Sequence, residues 1–295
     1  MEELLKLIVL GLCMGGIYAL VAVGYVVVYK STRVFNFAQA AMITVGAYAL
    51  YQALIIWSLP IWAAVLFTLA VGVALGLLVE RLLMRPLIGQ PILAPIVVTL
   101  GLMLMVRGVV LMIFGGQVYG YGEHFLPLGA WHVGFLTLPM IQIYAFIISM
   151  VAIFALIQFY NRTRMGLGMR VTHEDHVVAQ NLGINVKRVF QYSWVIACVL
   201  GVISGMLLGN IQGCCVELDV TGIMAIAAIL FGGLESIGGA IVGGLTLGVL
   251  QMVTIGYLAP IMPGEPIMMV PFAFMLLILI FKPYGLFGLV RIERL

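Results

Sequence analysis

Runs of apolar residues long enough to cross a lipid bilayer recur along almost the whole of this chain. A membrane-spanning helix needs about 20 predominantly apolar residues, and the sequence has such runs at 4–29, 34–57, 60–79, 92–115, 138–160 and 190–212. A Gly-rich stretch at 220–258, broken near Glu235, and a last run at 267–281 follow them. The sequence therefore predicts an all-α, polytopic transmembrane helical bundle of eight or nine passes, with 220–234 as either a crossing or a re-entrant hairpin.

Charged residues are too scarce for a chain that folds in water. Asp, Glu, Lys and Arg make up 8% of the 295 residues, whereas a soluble domain carries about 25% charged residues. This scarcity excludes a soluble enzyme, a disordered chain and a nucleic-acid-binding module. Because no connection is long enough to fold as a separate soluble domain, residues 1–295 are expected to form a single transmembrane domain.

The positions of Lys and Arg predict the orientation of the chain. Cytoplasmic loops of membrane proteins carry an excess of these residues. Of the 14 basic residues, 12 lie in four places: after span one, after span three, in the 161–190 connection and in the C-terminal tail. The alternate connections, 116–137, 213–219 and 259–266, contain no Lys or Arg. The basic connections and the C-terminus are therefore expected in the cytoplasm. Strict alternation would place the N-terminus outside and give nine passes.

Three polar side chains inside the predicted spans are candidates for a translocation path. Asn36 and Gln39 are three residues apart and share one helix face, where they could hydrogen-bond to neighbouring helices or line a path. Arg107 lies well inside an apolar run. Ionisable residues in spans either face the bundle interior or extend towards the membrane surface, and both alternatives stay open for Arg107.

Glycines gather around Glu235, where they indicate an unusual backbone. Small residues at four-residue spacing let helices approach closely in lipid, so one interpretation is tight packing. The other is a helix break at membrane depth, which is tolerated only inside protein or along a wet cavity. The structural glycines of this group are Gly232, Gly233, Gly238, Gly239 and Gly243.

No pattern in the sequence indicates catalysis or metal binding. The four cysteines and four histidines lack the spacing of a zinc or redox site, and no nucleophile can be matched with a base. The Walker A pattern of nucleotide-binding proteins is also absent. We therefore expect a chain that is not an enzyme, binds no metal or cofactor, and does not hydrolyse nucleotide by itself.

The longest basic connection has the pattern of a short amphipathic helix. Thr172 can cap the N-terminus, with Glu174 and Asp175 in the first turn, and Gly183 suits the C-terminal end. The spacing predicts a helix over about 173–182, which would lie on the membrane surface or dock to a partner.

This connection also contains a recognisable motif: T-R-x-G-x-x-x-R, then an acidic pair, then A-x-x-x-G-I-N. The residues are Thr163, Arg164, Gly166, Arg170, Glu174, Asp175, Ala179, Gly183, Ile184 and Asn185. The motif resembles the cytoplasmic coupling loop of branched-chain amino acid ABC transporter permeases, the Liv-type membrane subunits. Further matches follow in order along the chain: Gly16-Ile17-Tyr18-Ala19-Leu20, Asn36-Phe37-Ala38-Gln39, Arg85-Pro86-Leu87, Thr99-Leu100-Gly101, Gly232-Gly233, Gly238-Gly239-Ala240 and Lys282-Pro283-Tyr284-Gly285-Leu286-Phe287-Gly288.

The resemblance implies a permease subunit of an ABC importer in the bacterial inner membrane, carrying branched-chain or related hydrophobic amino acids. It implies four kinds of partner: a second, similar permease subunit, two cytoplasmic ATPase subunits that use ATP and Mg²⁺, an extracytoplasmic binding protein and membrane lipid. The mechanism would be alternating access, in which the ATPases act through Arg170, Glu174, Asp175, Ala179, Gly183 and Ile184.

Two departures from the family pattern bear on the substrate. Ala40-Ala41 stands where relatives often have Gly and an acidic or polar residue, and Leu234-Glu235 replaces the usual Gly-Ser. Relatives with the same framework handle urea or other small amides and acids, so such a substrate is one alternative. A stand-alone secondary transporter or channel is another, because its composition and spans would look the same.

Overall fold

The computed structural model describes residues 2–91, 93–133, 136–261, 266–282 and 285–288. Most of these residues are helical. The helices are α1 (Glu2–Thr32), α2 (Ala38–Tyr51), α3 (Ile61–Leu78), α4 (Leu93–Phe114), α5 (Met140–Arg162), α6 (Arg164–Glu174), α7 (His176–Asn181), α8 (Val186–Gln212), α9 (Leu218–Gly232), α10 (Ile237–Val253) and α11 (Pro266–Phe281).

Short turns and one hairpin complete the secondary structure. π-Helical turns extend three of the helices: Gln52–Ile56 follows α2, Val79–Met84 follows α3 and Thr254–Leu258 follows α10. Between α4 and α5, the strands β1 (Ala130–Val133) and β2 (Leu136–Pro139) form an antiparallel hairpin. The sequence did not predict this hairpin, because four-residue strands are too short to show an alternating pattern.

Seven helices of the described ranges are long and apolar enough to cross a membrane: α1 to α5, α8 and α10, counted with their π-helical extensions. Helices α9 and α11 are apolar but shorter. The predicted all-α bundle of membrane-spanning helices is confirmed.

Helix α1 forms the centre of the bundle, with every residue from Cys13 to Val28 buried. A helix that is apolar on all sides is stable only when it is enclosed. Helix α10 runs antiparallel along it, and glycines on both helices bring the two backbones into contact. A Cβ atom on Gly15 would lie 2.7 Å from Leu245 Cα, and one on Gly244 would overlap the backbone of Ala19. Tight packing is therefore the function of these glycines.

The outer helices α3, α4 and α5 present apolar side chains to their surroundings. Leu104, Met112, Val151 and Phe154 are all more than half exposed. Exposed residues of this kind are expected where a helix meets lipid tails or another membrane subunit.

The cations collect at one end of the bundle, which we call the basic end. It carries the ends of α1, α3 and α5 together with α6 and α7, and its basic residues include Lys30, Arg33, Arg81, Arg85, Arg162, Arg164, Arg170, Lys187 and Arg188. At the opposite end, Tyr119 and Cys214 exchange two backbone hydrogen bonds of 3.1 and 2.6 Å. Arg291 and Arg294, two basic residues of the C-terminal tail, lie outside the described residues.

The Gly-rich stretch is broken where the sequence predicted. Helix α9 ends at Gly232, α10 begins at Ile237, and Ser236 caps α10 by accepting a hydrogen bond from Gly239 N at 2.9 Å. The C-terminal residues 285–288 return to this break: Leu286 N donates to Phe231 O at 2.8 Å and Phe287 N to Gly232 O at 3.1 Å. The four non-helical residues 233–236 thus lie at the basic end, where Gly233 is buried and the other three are half-buried.

Candidate translocation path and coupling surface

Asn36 and Gln39 lie where the chain enters α2, and the protein encloses both side chains (1% and 0% exposed). Gln39 Nε2 donates to the Ala197 carbonyl of α8 at 2.9 Å, which is an interhelical hydrogen bond. Gln39 Oε1 and both side-chain polar atoms of Asn36 have no hydrogen-bond partner among the described residues. Because buried polar groups normally have partners, these atoms are suited to water or a passing polar group.

Two more unpartnered polar atoms lie farther along α2. Thr44 Oγ1 and Tyr48 OH are buried and accept or donate no hydrogen bond within the described ranges. The Tyr48 ring packs on Phe114 of α4, with the ring centroids 4.7 Å apart. Tyr48 was not among the predicted site residues, because a tyrosine inside an apolar run has the pattern of an ordinary core residue.

An apolar groove lies beside this part of α2. Its volume is about 430 Å³, and α2, α3 and α4 form its walls. The wall residues are mainly aliphatic and aromatic: Val45, Tyr48, Phe67, Val71, Val106 and Phe114. A groove of this chemistry accommodates an aliphatic side chain without desolvating a polar wall.

Arg107 forms an ion pair inside the bundle. Its Nη1 atom donates to Asp219 Oδ2 at 3.1 Å, joining α4 to the first turn of α9. Asp219 is 2% exposed and the Arg107 side chain 39%, so the pair has one enclosed and one open side. The sequence places Asp219 in a connection between runs, and only the fold shows that it enters the span.

The 161–190 connection contains two helices, so the single helix predicted over about 173–182 is wrong. Thr163 caps α6 by accepting from Gly166 N at 3.0 Å, and Asp175 caps α7 by accepting from Val177 N and Val178 N. Thr172, the predicted cap, is buried inside α6. The extended backbone of Asp175 (φ −154°, ψ 124°) divides the segment, and its hydrogen bonds from Val178 and Val177 lower the pKa of that carboxyl.

Helix α7 presents an apolar surface away from the rest of the chain. Val177 is 64% exposed, Val178 48% and Leu182 67%, whereas Ala179 is fully buried beneath them. Gly183 ends the helix with φ +77°, a left-handed conformation that favours glycine. We call α6 and α7 the coupling helices, after the role that the family resemblance implies for this connection, and the three exposed residues the α7 surface.

The other predicted coupling residues divide between surface and interior. Arg170 donates to the Tyr160 carbonyl at 2.9 Å and thereby fastens α6 to the end of α5. Ile184 is half-buried and packs against the cluster of Tyr160, Met169 and Val189. Glu174 is exposed at the end of α6.

Four of the five predicted structural glycines are required by their surroundings. A Cβ atom on Gly232 would overlap the Gly239 backbone and the reverse also holds, while one on Gly243 would overlap the Ala228 carbonyl. Gly233 has φ +102°. Gly238 is different, because the nearest atom to an added Cβ, Ser236 Oγ, is 3.9 Å away.

Glu235 lies in the break between α9 and α10 and meets two other elements there. Its Oε1 atom accepts from Arg33 Nη1, just beyond the end of α1. Arg33 Nη2 also donates to the His173 carbonyl of α6 at 3.0 Å. The His173 ring is held by Lys30 O, 2.8 Å from Nδ1, and its Nε2 atom is 3.8 Å from Glu235 Oε2. Burial lowers the pKa of His173, which favours the neutral ring.

Within the described part of the chain, no three His, Cys, Asp or Glu residues are grouped so that they could hold a metal ion. The candidate site thus consists of buried amides, one ion pair in the span and the exposed apolar α7 surface at the basic end.

Known proteins are similar to this chain over nearly its whole length. Residues 7–280 match the family described as branched-chain amino acid transport system, permease component. The high-affinity branched-chain amino acid transport system permease protein BraD of Pseudomonas aeruginosa is 28% identical, over 98% of this chain and 97% of BraD. The corresponding protein LivH of Escherichia coli is 29% identical, over 96% of this chain and 95% of LivH.

A third relative is the probable branched-chain amino acid transport permease protein LivH of Methanocaldococcus jannaschii. It is 27% identical, over 91% of this chain and 88% of that protein. No solved structure matches the chain. Because the family match extends from α1 into α11, this multi-pass membrane protein belongs to the permease components of branched-chain amino acid transport systems.

Proposed function

We propose that this chain is the permease subunit of an ABC importer that carries branched-chain amino acids across the bacterial inner membrane. The α7 surface is the observation that carries the proposal. Apolar residues grouped on a polar connection outside the membrane mark a contact site for another protein. Since the sequence contains no Walker A pattern, that partner is the ATPase on which import depends.

The proposed substrate follows from the relatives and from the chemistry of the bundle. The similar proteins are named for branched-chain amino acids, and the α2–α4 groove has an apolar wall. This combination favours an aliphatic amino acid over the alternative of urea or another small amide. Asn36 and Gln39 would contact its polar groups, because their free amide atoms are the buried hydrogen-bonding groups nearest the start of α2.

Arg107 and Asp219 are proposed to border the same path. A charged side chain that is 39% exposed within a span is costly against lipid tails. The open side of the pair therefore faces water or a second permease subunit rather than hydrocarbon. A path between two permease subunits, bordered by α2 and α4 of this chain, satisfies that requirement.

The complete importer would contain a second, similar permease subunit, two cytoplasmic ATPase subunits and an extracytoplasmic binding protein, embedded in lipid. ATP and Mg²⁺ would belong to the ATPases, and this chain, acting as one membrane domain over 1–295, would be non-catalytic and hold no cofactor. The basic end would face the cytoplasm together with the C-terminus. With α9 and α11 as short crossings, nine alternating passes place the N-terminus outside.

An exposed residue of the α7 surface gives a direct test. Val177→Asp should leave the membrane-inserted protein intact, because the side chain is 64% exposed, but should abolish co-purification of the ATPase and leucine uptake. Val118→Asp is the matched control at the opposite end, since Val118 is 65% exposed. ATPase association that persists in Val177→Asp, or is lost equally in Val118→Asp, would refute the docking role of α7.

A further inference from the structure

Arg33 and Glu235 bring three separate parts of the chain to one point. Arg33 lies directly after α1. Its guanidinium donates a hydrogen bond from Nη1 to the Glu235 carboxylate in the α9–α10 break, and another from Nη2 to the His173 carbonyl of α6. A guanidinium presents several donors in a rigid plane, so one side chain fixes both partners relative to each other. The coupling helices are thus joined to the break by two charge-assisted hydrogen bonds.

The backbone of Arg33 has a left-handed conformation that residues with a side chain rarely adopt. Arg33 has φ +58° and closes α1 with a hydrogen bond from its N to Tyr29 O at 2.8 Å. Glycine ordinarily occupies this left-handed position after a helix. A non-glycine residue persists there when surrounding contacts fix it, and the contacts present are those to Glu235 and His173.

An apolar contact supports the same junction. Ile237, the first residue of α10, packs against the cluster of Tyr160, Met169 and Val189, which includes a buried residue of α6. Helix α6 is therefore connected to the break in two ways: through Arg33, which joins its His173 carbonyl to Glu235, and through the apolar cluster that contains its Met169 and against which Ile237 packs. Movement of α6 cannot occur without displacing the start of α10 or breaking these contacts.

Close backbone contact at the break would transmit such a displacement from one helix to the other. Gly232 and Gly239 place the ends of α9 and α10 in backbone contact, with no interposed side chain to absorb movement. Helix α9 carries Asp219 at its other end, paired with Arg107. A shift at Glu235 therefore acts on α9, whose Asp219 pairs with Arg107 at the proposed path.

We propose that the Arg33–Glu235 pair is the link through which movement of the coupling helices reaches the break between α9 and α10. This inference rests on the proposed function, because it takes the ATPase as the source of the movement. Glu235 is a positioning residue in this scheme. The proposal predicts that loss of the Glu235 carboxylate separates ATP hydrolysis from transport while the complex stays assembled.

The test uses the complete importer in proteoliposomes with leucine-loaded binding protein. In Glu235→Gln, the stimulation of ATP hydrolysis by loaded binding protein should fall by about fivefold or more, in the range of allosteric coupling, and leucine uptake per ATP should fall with it. Glu235→Asp, which keeps the charge, should retain more stimulation. Assembly of the complex and its thermal stability should stay at the wild-type level in Glu235→Gln, whereas a purely structural role of the carboxylate would lower both.

The matched control is Glu80→Gln at the same end of the bundle. Glu80 also forms an ion pair, with Arg85 at 3.1 and 2.9 Å, but both residues belong to one continuous stretch of chain after α3. Its loss should leave the stimulation unchanged. An equal fall in Glu80→Gln, or wild-type stimulation and uptake per ATP in Glu235→Gln, overturns the inference. If the wild-type complex shows no stimulation at all, the proposed function itself fails.

Discussion

Arg107 of α4 and Asp219 of α9 form a hydrogen-bonded ion pair across 112 residues of sequence. Asp219 Oδ1, the second carboxylate oxygen, has no partner in the described part of the chain. The pair therefore depends on a single hydrogen bond between its charged atoms, and removing either side chain leaves the other without its partner. Its position links an outer helix to the helix that leads to the Gly-rich break.

Arg107→Leu should destabilise the protein by about 1–3 kcal/mol, because the buried Asp219 carboxylate loses its partner. Combining Arg107→Leu with Asp219→Leu should recover most of this loss, since apolar residues then replace both charges. Leucine uptake should fall in both variants if the pair borders the path. Thermal unfolding of the purified complex and uptake in proteoliposomes provide the measurements. Unchanged stability and uptake in Arg107→Leu would show instead that its side chain only extends towards the membrane surface.

The fold was largely predictable, because lipid imposes a simple requirement on sequence. A spanning segment must satisfy its own backbone hydrogen bonds and expose apolar side chains. Most spans are therefore recognisable in the sequence as a continuous run of apolar residues. The break at Glu235 was predictable for a similar reason, since glycines and a carboxylate interrupt an apolar run there. These are local signals, and each is contained within about 20 residues.

The candidate site was less predictable because its contacts join distant parts of the chain. Nothing local pairs Arg107 with Asp219 or Arg33 with Glu235, since each pair forms only after several helices have packed. The boundaries of the coupling helices were not predictable for a different reason. Thr172 and Asp175 are both good N-cap residues, and burial of Thr172 inside α6 left Asp175 as the cap.

Glycine substitutions should separate helix packing from helix propensity. Gly244→Ala should prevent close packing of α10 on α1, because the new Cβ would overlap the Ala19 backbone. Gly101→Ala on α4 should be neutral or stabilising by about 0.5–1 kcal/mol, since no atom lies within 4 Å of the added Cβ. Thermal unfolding of the two variants in detergent provides the comparison. Equal stability would contradict the packing role given to Gly244.

The orientation can be tested with single cysteines at exposed positions. In a Cys215→Ser background, where the other native thiols are buried, Glu123→Cys should react with a membrane-impermeant maleimide from outside intact cells. Gln180→Cys on α7 should react only after the membrane is opened. The expectation follows from the basic residues, which favour the cytoplasmic side. Labelling of Gln180→Cys in intact cells would reverse the proposed topology.

Gly183→Val should uncouple the ATPase without unfolding the spans. At φ +77°, a residue with a side chain costs about 1–2 kcal/mol, and the strain falls on the turn in which Ile184 N donates to Ala179 O at 3.0 Å. That hydrogen bond fixes α7 relative to α8, so its loss should reorient the α7 surface. We expect normal membrane insertion but reduced ATPase co-purification and reduced stimulation of hydrolysis by loaded binding protein.

Gly115→Val is the matched control for this variant. Gly115 has φ +75°, and, as at Gly183, an added Cβ atom would meet nothing within 4 Å. Both substitutions therefore carry a similar backbone cost in open space, but Gly115 follows α4 at the opposite end of the bundle. Its variant should keep the ATPase contact. If Gly183→Val retains full stimulated hydrolysis and uptake, or if Gly115→Val loses them equally, the turn after α7 has no special part in coupling.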